Sequence, residues 1–327
     1  MSGSFPILFI TASRIGDAVL SSGLLKRLHD EVPQATFTVA AGPVAAPLFR
    51  DLPRLERTLV VSKARWGGHW WRLWRETRRT RWGLVVDMRG SALTRFLRLR
   101  RKGVNRRGPT SAEPVHKVIE AARVLQLADD PPAPYLFVSE TTQAAADALL
   151  EGDGPVLAIG PGANWGGKAW AAERFAVVAA KLLDPTGPLA DGRLLLLGGE
   201  DDRLACRIVR HALPRRRVID LSGRVDLLTA YAALRRARLF IGNDSGLMHM
   251  AAAAGAPTLG LFGPSDERLY APWGPYTRAL RGPRDFAAFK RLDPQLNQPV
   301  EHMGDLTVRS VLTAARRLLA ETEGVRG

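Results

Sequence analysis

Gly162-Ala-Asn-Trp-Gly-Gly-Lys168-Ala169 stands between an apolar run, VLAIGP, and a helical pattern, ERFAVVAAKLL. It satisfies the phosphate-binding pattern GxxxxGK[ST] except at the last position, where Ala169 replaces the hydroxyl that would bind magnesium. A lysine among glycines after a strand can still meet a diphosphate as a point charge without a metal. The alternative is a surface lysine on a flexible loop. Further on, Asp244-Ser-Gly-Leu-Met-His249 follows LFIGN and opens a helix, whose free amides suit a phosphate or a sugar hydroxyl. His249 by itself reads as a core histidine; beside Asp244, Ser245 and Gly246 it also reads as part of a site. Glu200-Asp-Asp202 follows RLLLLGG, where a carboxylate either binds ribose hydroxyls or caps a helix. Near the N-terminus, TASRIGDAVLSS puts Asp17 at a helix start, where a carboxylate complements the helix dipole whatever else it does.

These residues sit in a basic chain: 47 Lys and Arg against 32 Asp and Glu give a net charge of +15. The excess is concentrated, with 15 Lys or Arg from Ser62 to Gly108 against only Glu76 and Asp87. Five of the eight tryptophans fall in the same stretch. On a helix Trp66, Trp70, Leu73 and Trp74 would share one side, with Arg72, Arg75, Arg78 and Arg79 around the rest. Such a segment either lies on an anionic membrane or grips a polyanionic substrate, or else is a core-facing aromatic stripe with a solvated basic face. No helix-turn-helix, zinc finger or RNA-binding aromatic motif accompanies the charge, which argues against nucleic acid.

The elements that must position these residues alternate. PILFITAS, TFTVAAG, TLVVS and LVVDMRG read as strands with helical stretches between them, and the pattern restarts at VLAIGPG and runs through RLLLLGG, VIDLSG, LFIGND and TLGLFGP. Short apolar strands separated by helices predict βαβ units and parallel sheets, here in two Rossmann-like domains of roughly 150 residues each. The join is expected around Glu151 to Pro155, giving domains 1–152 and 153–327. A terminal helix over 305–323, capped by Asp305 or Thr307, closes the chain as part of the second domain or packed back on the first. No apolar run reaches the roughly 20 residues of a membrane span, and the N-terminus lacks the charged start of a signal peptide, so the expected compartment is the cytoplasm. The single Cys206 fits a reducing compartment and reads as a small core residue.

Taken in order, TASRIGDAVLSSGLLKRL, GPGANWGGKAWAAERFAVVA, LLGGED and IGNDSGLMHMAAAAGAPTLGLFGPSD resemble the ADP-heptose:lipopolysaccharide heptosyltransferases of glycosyltransferase family 9. The resemblance extends over nearly the whole chain. It implies an α/β GT-B fold, in which two Rossmann-like domains face each other across a cleft, the first holding the acceptor and the second the nucleotide sugar. It implies an inverting transferase that needs no metal or other cofactor, using ADP-heptose and the lipopolysaccharide inner core at the cytoplasmic face of an anionic inner membrane. Another nucleotide sugar or glycan acceptor remains an alternative, as does a polyanion-binding protein without transferase activity. Residue by residue, Asp17 matches the proposed general base and Lys168 the lysine that neutralises the leaving diphosphate. Asp244 matches the acid at the donor sugar, Ser245 and Gly246 the amides on phosphate, His249 the motif histidine, and Glu200 falls near the ribose-binding acid. Asn164 stands where relatives often carry a phosphate-binding hydroxyl. The basic, Trp-rich segment is where an anionic acceptor would dock, with Lys63, Arg65, Arg72 and Arg106 as candidates.

Overall fold

The computed structural model describes residues 4–105, 113–296 and 301–324. Arg106 therefore lies outside the described residues. Among the described residues eleven strands are connected by helices: β1 Phe5–Ile10, β2 Ala35–Ala41, β3 Leu55–Val60, β4 Trp82–Asp87, β5 Leu99–Val104, β6 Val156–Gly160, β7 Arg193–Leu196, β8 Val218–Asp220, β9 Ala237–Asn243, β10 Thr258–Phe262 and β11 Thr277–Arg281. The helices are α1 Ile15–Glu31, α2 Gly68–Thr77, α3 Lys117–Ala122, α4 Glu140–Leu149, α5 Ala172–Leu182, α6 Arg203–Arg210, α7 Leu227–Leu234, α8 Gly246–Ala253, α9 Glu267–Tyr270, α10 Phe286–Leu292 and α11 Val308–Glu321.

The first unit, Met1–Ser139, holds a five-stranded sheet in the order β3-β2-β1-β4-β5. All its pairs are parallel, with Ile10 opposite Asp87 where β1 meets β4. The apolar runs of β1 and β4 are buried because both strands lie inside the sheet. The second unit, Glu140–Gly327, holds a six-stranded parallel sheet in the order β11-β10-β9-β6-β7-β8. In each sheet the chain works outward from a central strand to one edge, then returns to build the other side. The order thus reverses between β1 and β4 in the first sheet and between β6 and β9 in the second.

The units divide after Ser139 rather than at the expected join near residue 152. The reason is side-chain pairing: α4 packs on α7, with Arg235 donating to Gln143 Oε1 at 2.8 Å and Arg236 paired with Asp147 at 3.1 Å. Arg193 then ties the carbonyls of Leu150 and Gly152 to the second sheet. The terminal helix α11 sends Val311, Ala315, Leu318 and Leu319 into the second core. Of its two candidate caps, Thr307 accepts from Ser310 N, whereas Asp305 pairs with Arg284. Cys206 is buried on α6, where burial pushes its thiol up to about 12.

Helix α2 lies over the first sheet and shows which tryptophans are structural. Leu73 is buried, Trp70 and Trp74 pack on the core around Val85 and Trp82, and Trp74 Nε1 donates to the Phe96 carbonyl at 3.1 Å. Trp66 does not share that face, contrary to the helical spacing. It sits before the helix in a tight turn, Arg65–Gly67, with positive φ at Trp66 (56°) and Gly67 (72°), and its side chain is fully exposed. Trp71 is 57% exposed and carries the Arg75 guanidinium 4.8 Å from its ring centroid. The segment is therefore divided, with a core stripe on one side and an exposed aromatic and basic surface on the other.

Candidate functional site

Ligands of parallel sheets settle at the carboxyl ends of the strands where the order reverses. In the second unit those strands are β6 and β9, and the loops after them carry Lys168 and Asp244. Lys168 Nζ donates to Asp244 Oδ2 at 2.6 Å, with Asp244 only 7% exposed and Lys168 25%. Asn243, wholly buried at the end of β9, joins the loops beneath this pair: its Oδ1 accepts from Trp170 N at 3.0 Å and its Nδ2 donates to the Pro161 carbonyl at 2.7 Å. Sequence reasoning overlooked Asn243, although an amide ending the apolar run LFIG was a signal.

The glycines of the loop answer to its neighbours. A Cβ on Gly162 would lie 2.0 Å from Asp202 Oδ1. One on Gly167 would lie 2.5 Å from Trp165 Cη2 and 2.9 Å from His302 Cδ2. His302 is buried behind the loop, between Trp165 and Phe289, with its Nε2 3.6 Å from Asp293 Oδ2. The segment carrying it is fastened by Arg284, which donates to the His302 carbonyl, and by Trp170 and Arg174, which donate to the Leu306 carbonyl. This loop differs from an ATPase phosphate loop in one decisive respect. Lys168 ends a short 3-10 turn, Gly166–Lys168, Ala169 is extended, and α5 starts only at Ala172, whereas a phosphate loop runs its lysine directly into the helix.

Ser245 caps α8, its Oγ accepting from Met248 N at 3.4 Å, and Gly246 begins the helix. His249 is buried one turn along. Asn164 is exposed on the loop between β6 and Lys168. Two of the three carboxylates after β7 have separate tasks. Asp202 turns inward, accepting from Gly199 N at 2.8 Å and filling the space beside Gly162, while Glu200 stays 67% exposed with Arg203 Nη1 at 3.1 Å. Since β7 pairs with β6, Glu200 is presented next to the lysine loop.

In the first unit Asp17 lies half-buried in the first turn of α1, directly after β1. Arg72 lines a cavity of about 270 Å³ at the end of β3, with Thr58, Leu59, Ser62, His69 and Glu76. Lys63 and Arg65 are exposed on the approach to α2 and do not line it. No described helix is long and apolar enough to cross a membrane.

The model of glycosyltransferase family 9 (heptosyltransferase) matches residues 70–297. The lipopolysaccharide heptosyltransferase 2 of Salmonella typhimurium is 27% identical, covering 98% of this chain and 99% of its own. The lipooligosaccharide heptosyltransferase 2 of Haemophilus influenzae is 26% identical over 81% of this chain and 85% of its own. Among solved structures, the E. coli ADP-heptose lipopolysaccharide heptosyltransferase II superposes with a TM-score of 0.74 at 23% identity, covering 97% of this chain and 99% of that one. An E. coli heptosyltransferase solved with ADP superposes at 0.71 with 16% identity, covering 96% and 100%. The shared fold is GT-B.

Proposed function

This chain belongs to glycosyltransferase family 9, and on that premise we propose that it moves a heptose from ADP-heptose to the inner core of lipopolysaccharide, with inversion and without a metal. The observation that carries the reading is the Lys168–Asp244 pair at the reversal point of the second sheet. Departure of ADP from the anomeric carbon leaves positive charge on the sugar and negative charge on the diphosphate. Lys168, held in place by Asp244 before the substrate arrives, neutralises the diphosphate, and a pre-positioned charge costs no reorganisation during the reaction. Asp244 stays beside it to orient the donor sugar. Asp17 takes the proton from the acceptor hydroxyl as that oxygen attacks the face opposite ADP. Glu200, presented beside the lysine loop, suits ribose hydroxyls, and Asn164, Ser245 and Gly246 suit phosphate oxygens.

The protein works at the cytoplasmic face of the inner membrane, where its acceptor is anchored. The exposed Trp66 and Trp71 with the flanking arginines support this contact, because indole rings favour the headgroup level and basic side chains favour anionic lipid. The deciding experiment is transfer from ADP-heptose to a purified inner-core acceptor, with magnesium and then with EDTA, alongside calorimetric binding of ADP. Transfer and ADP binding that ignore EDTA are expected. Magnesium-dependent binding of ATP in preference to ADP would overturn the reading. Vesicles containing anionic lipid should retain the protein, and the Trp66→Ala/Trp71→Ala double variant should be released; equal retention of the two would remove the membrane role of this surface.

A further inference from the structure

The first sheet has its own reversal point, between β1 and β4, and two loops emerge there. The loop after β1 leads to Asp17. The loop after β4, Met88-Arg89-Gly90-Ser91, carries a single cation, Arg89, which the sequence had not singled out. Its backbone is fastened from below. Asp87, wholly buried at the end of β4, accepts from Arg89 N at 2.9 Å, from Ser91 N at 2.9 Å and from Ser91 Oγ at 2.6 Å. Asn105 adds a hydrogen bond to the Met88 carbonyl at 3.4 Å. The Arg89 side chain is restrained as well, with its guanidinium carbon 4.6 Å from the centroid of Trp70, a ring packed on the core. Arg72, by contrast, stands on the exposed side of α2.

A planar guanidinium presents a fork of donors that matches a carboxylate or phosphate, and holding it in place beforehand removes much of the ordering cost of binding. We infer that Arg89 is a specificity-determining residue of the first unit, gripping an anionic group, carboxylate or phosphate, on the acceptor beside the hydroxyl that Asp17 deprotonates. This rests on the glycosyl-transfer reading above. It assigns the decisive acceptor cation to the loop after β4, whose backbone Asp87 fastens, and gives the exposed arginines of the basic run a lesser, attractive role.

The test is steady-state kinetics of the full chain with three acceptors: the intact inner core, the same core dephosphorylated, and the core with its carboxylates converted to amides. The wild-type KM should rise on removal of one kind of anion. The Arg89→Met variant should raise KM for the intact acceptor by about 10- to 100-fold, the range of a charge-assisted hydrogen bond, while kcat and ADP affinity stay near wild type. It should also become indifferent to that anion, and Arg89→Lys should recover part of the loss. The anion whose removal no longer matters identifies the group gripped. A wild-type KM that ignores both modifications overturns the proposal without any variant, which matters if Arg89→Met fails to fold. So does an Arg89→Met variant whose KM rises equally for all three acceptors. A wild-type protein that binds ADP but transfers to none of them overturns the glycosyl-transfer reading and the role of Arg89 together, whereas transfer that ignores the anions overturns only the latter.

Discussion

The two units use one topology with opposite charge arrangements. In the second, the loop after the first strand carries the cation, Lys168, and the loop after the returning strand carries the carboxylate, Asp244. In the first, the carboxylate Asp17 follows the first strand and the cation Arg89 follows the returning one. The carboxylates differ in another way. Asp244 uses its oxygen on a side-chain cation 76 residues away, while buried Asp87 uses both of its oxygens on the backbone and hydroxyl of its own loop. A parallel sheet therefore specifies where two loops meet but not what they do. On the proposed reading, the side chains placed on these loops fit one site to a diphosphate and the other to a hydroxyl that must lose a proton.

The largest way to break this comparison is Asp17→Asn, which keeps the shape and removes the base. Transfer should fall by about 100- to 10,000-fold with ADP affinity unchanged, checked by progress curves and calorimetry; a full transfer rate would remove Asp17 from the mechanism. Lys168→Ala should weaken ADP by about 10- to 100-fold but AMP far less. Equal losses for the two nucleotides would show that the lysine does not address the second phosphate. Gly167→Ala sharpens the same contrast through shape, because the added methyl meets the rings of Trp165 and His302. Overpacking of about 1–3 kcal/mol should lower the melting temperature or weaken ADP, and a variant identical to wild type in both would show that the wall behind Lys168 is soft.

The smallest effect concerns pH. The Arg284 guanidinium, hydrogen-bonded to Asp305, holds that carboxyl below its ordinary range, so the pair stabilises the fold above the unfolded carboxyl value and loses its contribution as pH falls through the lower folded value. Asp305→Asn should cost less than about 1 kcal/mol at pH 7. The gap from wild type should close in acid denaturation below about pH 4. A gap that persists at low pH would assign the role of Asp305 to packing.

Much of the molecule was legible beforehand. Strand and helix periods, and the ordered motifs around Asp17, Lys168 and Asp244, are local signals. The basic stretch was legible only as an alternative, because spacing cannot tell a core-facing stripe from an exposed one; Trp70 and Trp74 turned out to pack on the core while Trp66 and Trp71 did not. Trp66 was misplaced because the left-handed turn at Trp66 and Gly67 breaks the helical register that its spacing implied. Asn243, His302 and Arg89 were missed for a common reason: each matters through a partner distant in sequence, or through a loop whose path depends on such a partner.

By itself the sequence determined the alternation of strands and helices, the small residues of the lysine loop and the excess of positive charge, all consequences of side-chain period and type over a few neighbouring positions. Only the tertiary structure decided that Lys168 meets Asp244, that His302 backs Gly167, and that Arg89 and Asp17 flank one reversal point. Strand order brings those residues together, and strand order is set by which buried faces pack best, a property of the whole sheet rather than of any stretch within it.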